Sequence, residues 1–191
     1  VLVIGRRPCG VSHPILKEII HANFLDIAPI ERELTGYNAC FFCLGRSSVG
    51  MGAEEYYRVT YELTMHVAGV LARNNPDMAF LYVSGLGTDS TEKGKIRWAR
   101  VKGKVENDLM KLPFRRAYGI RPAFMKPTPG LKNAPAYYRA MGALFPALRK
   151  IFPKYITTLS EVGIAMINVA LRGCEKQVLE VEDLLEMART E

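Results

Sequence analysis

Asn74-Asn-Pro-Asp-Met-Ala-Phe-Leu-Tyr-Val-Ser-Gly85 joins the stop of a helix directly to a buried strand, and that junction decides the fold class. Upstream of it, Glu54 to Arg73 has acids in its first turn and Val59, Leu63, Val67, Val70 and Leu71 along one side. This is an amphipathic helix, ended by Asn74-Asn75-Pro76. Downstream, Ala79–Val83 is a short apolar run closed by Ser84-Gly85. Three further runs share that form: Val1–Ile4 before Gly5, Ala39–Leu44 before Gly45, and Ala117–Ile120 before Arg121-Pro122. A second helix is predicted from Ile96 to Leu112, where Pro113 ends it. Strands alternating with helices at these spacings need crossover connections, so the expected architecture is α/β with a doubly wound parallel sheet. Toward the C-terminus, Thr158–Leu171 reads as a helix with Val162, Ala165, Met166 and Val169 on one face, stopped by Gly173. A short strand within Lys176–Val181 and a helix from Glu182 to Arg189 complete the expected order.

The chain has 191 residues, 49% of them hydrophobic and 24% charged, which suits one globular domain and excludes disorder and a disulfide scaffold. Its formal charge of +7 is unevenly spread. Between Leu109 and Ser160 there is no Asp or Glu, while Lys111, Arg115, Arg116, Arg121, Lys126, Lys132, Arg139, Arg149, Lys150 and Lys154 all fall there. Such a segment suits an anionic partner or a solvated face. Cys9, Cys40, Cys43 and Cys174 are expected to be ordinary buried thiols, because residues three apart on a strand point to opposite faces and neither bridge nor share a metal. No apolar stretch reaches the ~18 residues of a membrane helix, and the expected setting is cytoplasmic.

A doubly wound sheet offers its ligand site beyond the carboxyl ends of its strands. Arg6 and Arg7 follow the first run, at the position where arginine accommodates a 2′-phosphate and so favours NADP over NAD. Asp26, after the short run Ala22–Leu25, is placed to meet an adenine edge.

The succession Gly5-Arg-Arg7, Phe42-Cys-Leu-Gly45, Tyr57-Arg-Val-Thr60, Tyr82-Val-Ser84, Val101-Lys-Gly103 and Arg121-Pro-Ala-Phe124 resembles the atypical short-chain dehydrogenase/reductases. Within them it is most similar to the Tat-interactive-protein type and its bacterial relatives. The resemblance implies a three-layer Rossmann fold with bound NADP(H). It divides the chain into a dinucleotide-binding core over 1–125, a basic Pro- and aromatic-rich substrate lobe over 126–157, and core-completing elements over 158–191. It further implies that Lys102 holds the nicotinamide ribose, that Leu44 and Gly45 pass close to the cofactor, and that Val59 and Thr60 line the nicotinamide side. Pro122 would pack near the nicotinamide ring and Phe124 on the substrate side.

Two departures bear on this picture. The family's opening strand and Gly-x-x-Gly-x-x-Gly turn do not precede Val1, so the natural product is expected to be longer by one β-α unit, roughly 30 residues. The family's Tyr-x-x-x-Lys pair is Trp98-Ala-Arg-Val-Lys102 here, and an indole N–H donates a hydrogen bond without acting as an acid near neutral pH. Ser84 is the expected assisting hydroxyl, with a strand-end hydrogen bond to backbone as its structural alternative. The sequence therefore carries two functional expectations: an NADP(H)-dependent reductase of a small apolar carbonyl compound, and a non-catalytic NADP(H)-sensing regulatory protein. The lobe's two short helices, Ala136–Leu144 and Ala147–Phe152, set apolar residues opposite Arg139, Arg149 and Lys150, which suits a substrate cover, an anionic bilayer or a protein partner. No nucleic-acid-binding motif is present and none is expected.

Overall fold

The computed structural model describes residues 1–128, 145, 148–152 and 155–190. The architecture is α/β, and every strand pair among these residues is parallel. Strands β1 (Leu2–Gly5) and β2 (Lys17–Ile20) pair with each other. The largest sheet has four strands in the order β3 (Ala39–Phe42), β4 (Ala79–Val83), β5 (Arg116–Ile120) and β8 (Val178–Leu179). A third pair joins β6 (Phe124–Lys126) to β7 (Ile156–Thr158).

Alternation along β4 sorts the core into two clusters. Phe80 and Tyr82 face one way and join Phe42, Val67, Leu71, Val105 and Leu109. Those partners come from β3 and from helices α2 (Leu63–Asn74) and α3 (Arg97–Leu109). The Phe42 and Phe80 rings stack at 5.7 Å between centroids. Ala79 and Leu81 face the other way, with Tyr118 and Ile120 of β5 and with Val162, Ala165, Met166, Val169 and Leu184. These last come from α4 (Leu159–Arg172) and α5 (Val181–Arg189). The period of two in the strands thus assigns each helix pair its own side of the sheet.

The long helix predicted after Gly52 is present as α1 (Ala53–Tyr57), a π-helical stretch Arg58–Glu62, and α2. Thr158 caps α4 in a reciprocal box with Glu161, and Gly173 ends it at φ 81°.

Several expectations need correction. The strand after β1 is Lys17–Ile20, not Ala22–Leu25; the latter is a turn in which the Asp26 amide donates to the Asn23 carbonyl at 3.0 Å. An exposed edge strand with two charged residues leaves no apolar run to read. The β6–β7 pair was not anticipated either, since three-residue strands are too short to show alternation. The second helix stops at Leu109, and Met110–Leu112 continue as turns rather than helix. The thiols are all free, but Cys9 and Cys43 are exposed rather than buried. Burial and the nearby Cys43 push the Cys40 thiol up to about 12. The predicted helix Ala136–Leu144 lies outside the described residues, and of Ala147–Phe152 the described helical residues are 148–151.

Helix α3 lies so close to the loop after β4 that a Cβ on Gly103 would come within 1.9 Å of the Asp89 carbonyl oxygen. Gly163, on α4, has nothing within 4 Å of the same position. Gly103→Ala is expected to cost at least about 1–3 kcal/mol through overpacking against backbone. Gly163→Ala should instead stabilise the protein by about 0.5–1 kcal/mol through helix propensity. Urea denaturation of the two variants checks this opposite pair of signs.

Candidate functional site at the carboxyl edge of the sheet

Because β3, β4, β5 and β8 are parallel, the residues that follow them gather along one edge: Cys43-Leu44-Gly45, Ser84-Gly85, Arg121-Pro122 and Glu180. Helix α3 supplies the rest. Trp98, Lys102 and Glu106 recur every four residues and share its inward side.

The centre of this edge is a buried ionic cluster. Glu106 is only 1% exposed. Its Oε1 accepts from Arg121 Nε at 3.1 Å and its Oε2 from Arg121 Nη2 at 2.5 Å, a bidentate fork. Arg121 Nη1 reaches Glu180 Oε1 at 3.0 Å, and Nη2 also meets Ser90 Oγ at 2.5 Å. Burial alone would lower the Arg121 pKa, but its bonds to Glu106 and Glu180 reverse that and raise it. Gly119 of β5 makes room for the carboxylate, since a Cβ there would lie 2.6 Å from Glu106 Oε1.

Ser84 is part of this cluster. Its hydroxyl donates to Glu106 Oε1 at 2.5 Å and lies 3.1 Å from the Ile120 carbonyl. Lys102 Nζ donates to the Ser84 backbone carbonyl. Burial lowers the Lys102 pKa, and the Glu106 carboxylate pulls in the opposite direction. Trp98 is half-buried, its Cη2 3.7 Å from where a Cβ would stand on Gly87. Pro122 is buried beside the same loop, and its carbonyl accepts from the Leu86 amide at 2.9 Å. Ser84, Trp98, Lys102 and Pro122 are thus brought together. Leu44 is half-buried against the α2–α3 core, Gly45 is exposed with open space around it, and Phe124 is half-buried in β6. Val59 is half-buried and Thr60 buried, both on the π-helical stretch.

Arg6, Arg7 and Asp26 sit apart from this cluster, on the exposed loops that follow β1 and β2. Asp26 Oδ1 accepts from the Ala28 amide at 3.3 Å, a local contact at the start of the short helix Ala28–Glu33. Among the described residues no group of His, Cys, Asp and Glu could hold a metal ion, and no helix is long and apolar enough to cross a membrane.

Glu106 and Glu180 were not anticipated from the sequence, and Ser90 was noted only as a hydroxyl near Ser84 with no activating base. Two signals pointed to the acids: Glu106 lies one turn beyond Lys102, and Glu180 follows the last strand as Arg121 follows β5. Chemically, the edge offers an ammonium at Lys102, an indole at Trp98, and a serine whose proton is already committed to a carboxylate. Tyr56 and Tyr82 are buried in the core beneath, where desolvation raises both phenols and keeps them neutral. No protein-family model matches the chain, and no curated protein matches it significantly.

A second charged cluster clamps α3 to the π-helical stretch. Asp108 accepts from Tyr61 at 2.7 Å, Lys104 at 2.8 Å and Lys111 at 2.6 Å. Partial burial pushes the Asp108 carboxyl up, but these three donors outweigh it and hold the group well below the usual carboxylate range. The stabilisation from such a lowered acid is complete above the unfolded pKa and is lost as pH falls through the folded one. Asp108→Asn should therefore melt below the wild type at neutral pH. The gap should narrow progressively as the pH drops below about 4, where unfolded carboxylates protonate, and melting curves across pH test it.

At the ionic cluster, Glu106→Ala strands Arg121 without its buried counter-ion and should destabilise the protein by about 3–5 kcal/mol. Chemical denaturation measures that loss, and a loss below about 1 kcal/mol would contradict the burial argument.

Proposed function

We propose that this chain is an NADP(H)-binding protein of the Rossmann type whose reductase proton relay has been given up, so that nucleotide binding rather than turnover is its function. The observation that carries the reading is the Ser84–Glu106 hydrogen bond beside Trp98. A carbonyl reductase needs a hydroxyl free to donate to the developing alkoxide, with a group behind it to supply the proton. Here the serine proton faces a carboxylate, and the indole N–H of Trp98 is no acid near neutral pH.

Several features support nucleotide binding. The parallel strands have their carboxyl ends on one edge, the location dinucleotides use in doubly wound sheets. The two core clusters on opposite faces of β4 agree with helices on both sides of a central sheet. Arg6 and Arg7 are exposed beyond β1, the position at which arginine would suit a 2′-phosphate, and Lys102 of α3 meets the Ser84 carbonyl at the carboxyl end of β4.

Titration of the protein with NADPH and NADH tests the reading. NADPH is expected to bind more tightly. Arg6→Ala with Arg7→Ala should remove the preference by about tenfold or more, the worth of a charged hydrogen bond. Lys102→Met should weaken both nucleotides, and no carbonyl in a broad panel should be reduced. Binding of neither nucleotide overturns the proposal. Turnover of a small apolar carbonyl, enhanced by Trp98→Tyr, would establish the reductase instead.

A further inference from the structure

Between Lys93 and Lys104 the chain carries six basic residues and no acid. This run opens helix α3 against the ordinary rules of helix starts. The cap residue is Ile96, 56% exposed and without a side-chain capping bond, and the first turn holds Arg97 and no acid. Cations at that end oppose the helix dipole, which favours anions there. Local rules are broken in this way chiefly where a site needs it.

The cations are held in place but not neutralised. Arg97 Nη2 donates to the Met51 carbonyl at 2.8 Å, in the loop that follows β3, and Arg100 Nη1 to the Gly94 carbonyl at 2.5 Å, in the loop that follows β4. Both acceptors are uncharged. Among the described residues, Lys93, Lys95, Arg97 and Arg100 enter no ion pair. The acids just before them in the chain are engaged locally, Asp89 with the Thr91 and Gly94 amides and Glu92 with Asn107.

A second observation lies beneath this turn. Thr60 is 5% exposed, and its Oγ1 is buried without a hydrogen-bond partner at proper geometry. Such a hydroxyl is costly unless something completes its bonding. Burial pushes the neighbouring Tyr56 phenol up, while the Thr60 hydroxyl and the Arg97 charge pull it down, so both groups face one phenol. An anionic oxygen beside Arg97 would accept from the Tyr56 hydroxyl and turn the phenol oxygen to accept from Thr60.

We propose that the mouth formed by the first turn of α3 and the loops after β3 and β4 binds the phosphoryl group of a small phosphorylated ligand. Arg97, Arg100 and Lys95 meet its oxygens together with Tyr56, and the Trp98 indole receives the adjoining ring. Arginine forks match phosphate geometry, and a dianion balances this charge better than one carboxylate does. A small ligand suits the place better than a polyanion spread over the surface. The basic run leads inward, from exposed Lys93, Lys95 and Arg97 to half-buried Trp98 and to Lys102 on the Ser84 carbonyl. The inference does not rest on the nucleotide reading, since Arg6 and Arg7 lie on the loop after β1.

Calorimetric titration of the full chain with phenyl phosphate, inorganic phosphate and phenol at low salt tests the proposal, with fluorescence of Trp98, the chain's one tryptophan, as a second readout. Phenyl phosphate should bind most tightly, inorganic phosphate more weakly, and phenol not at all. Arg97→Gln with Arg100→Gln should weaken phenyl phosphate about tenfold or more, and Thr60→Val about fivefold, the worth of charged and neutral hydrogen bonds. Lys95→Gln, at an exposed side chain that folding does not depend on, should weaken it about twofold or more. Arg6→Ala with Arg7→Ala should leave phenyl phosphate binding unchanged; its loss there would assign the phosphate to the nucleotide site and overturn the proposal. The proposal also fails if phenyl phosphate does not bind saturably, if phenol binds as well, or if the arginine and Lys95 variants bind undiminished. It fails too if a single-stranded oligonucleotide binds more tightly than phenyl phosphate through the same arginines, which would make the run a macromolecular surface.

Discussion

The Glu106–Arg121 pair organises the carboxyl edge of the sheet. A carboxylate that is 1% exposed is tolerated only when its oxygens are satisfied, because the desolvation of an unpaired charge exceeds anything packing can offset. That requirement fixes several elements at once. Arg121 must leave β5 pointing toward α3, Gly119 must lack a side chain, and Ser84 at the end of β4 must donate inward. Arg121 also reaches Glu180, whose own amide is held by Asp183 in the capping box that starts α5. Two ion pairs that share Arg121 therefore couple the helix on one face of the sheet to the beginning of a helix on the other.

The same pair limits the chemistry available at this edge. Ser84 occupies the place expected of an assisting hydroxyl, yet its proton is drawn into the cluster rather than outward. Lys102 is anchored on the Ser84 carbonyl, so the residue expected to hold a ribose is positioned by backbone and not by a neighbouring acid. With Trp98 one turn before it, the inward side of α3 reads indole, ammonium, carboxylate. That series suits holding and orienting a ligand better than moving a proton.

Legibility followed burial. Strands β3, β4 and β5 and helices α2, α4 and α5 were readable because their residues sit in one of two cores and so carry an apolar period. Strand β2 was not, since its residues are mostly exposed and impose no pattern. The π-helical stretch was also invisible, because a single wide turn changes the hydrogen-bond partner without changing the composition. At the site, Ser84 was marked by its place at a strand end, while Lys102 and Trp98 were singled out only by the resemblance to the short-chain reductases. Glu106 escaped notice because a lone glutamate in a helix looks like a solvated surface residue.

The sequence by itself determined the α/β class and the parallel sense of the strands, and so the edge on which their following residues gather, because crossover spacing and alternation are local properties of the chain. Tertiary structure alone decided that the described strands divide among three sheets, that Ser84 serves a buried carboxylate, and that Ile151, Phe152 and Tyr155 stay exposed. Those outcomes depend on which distant groups share a low-dielectric interior and which remain in water, and no spacing along a chain encodes that directly.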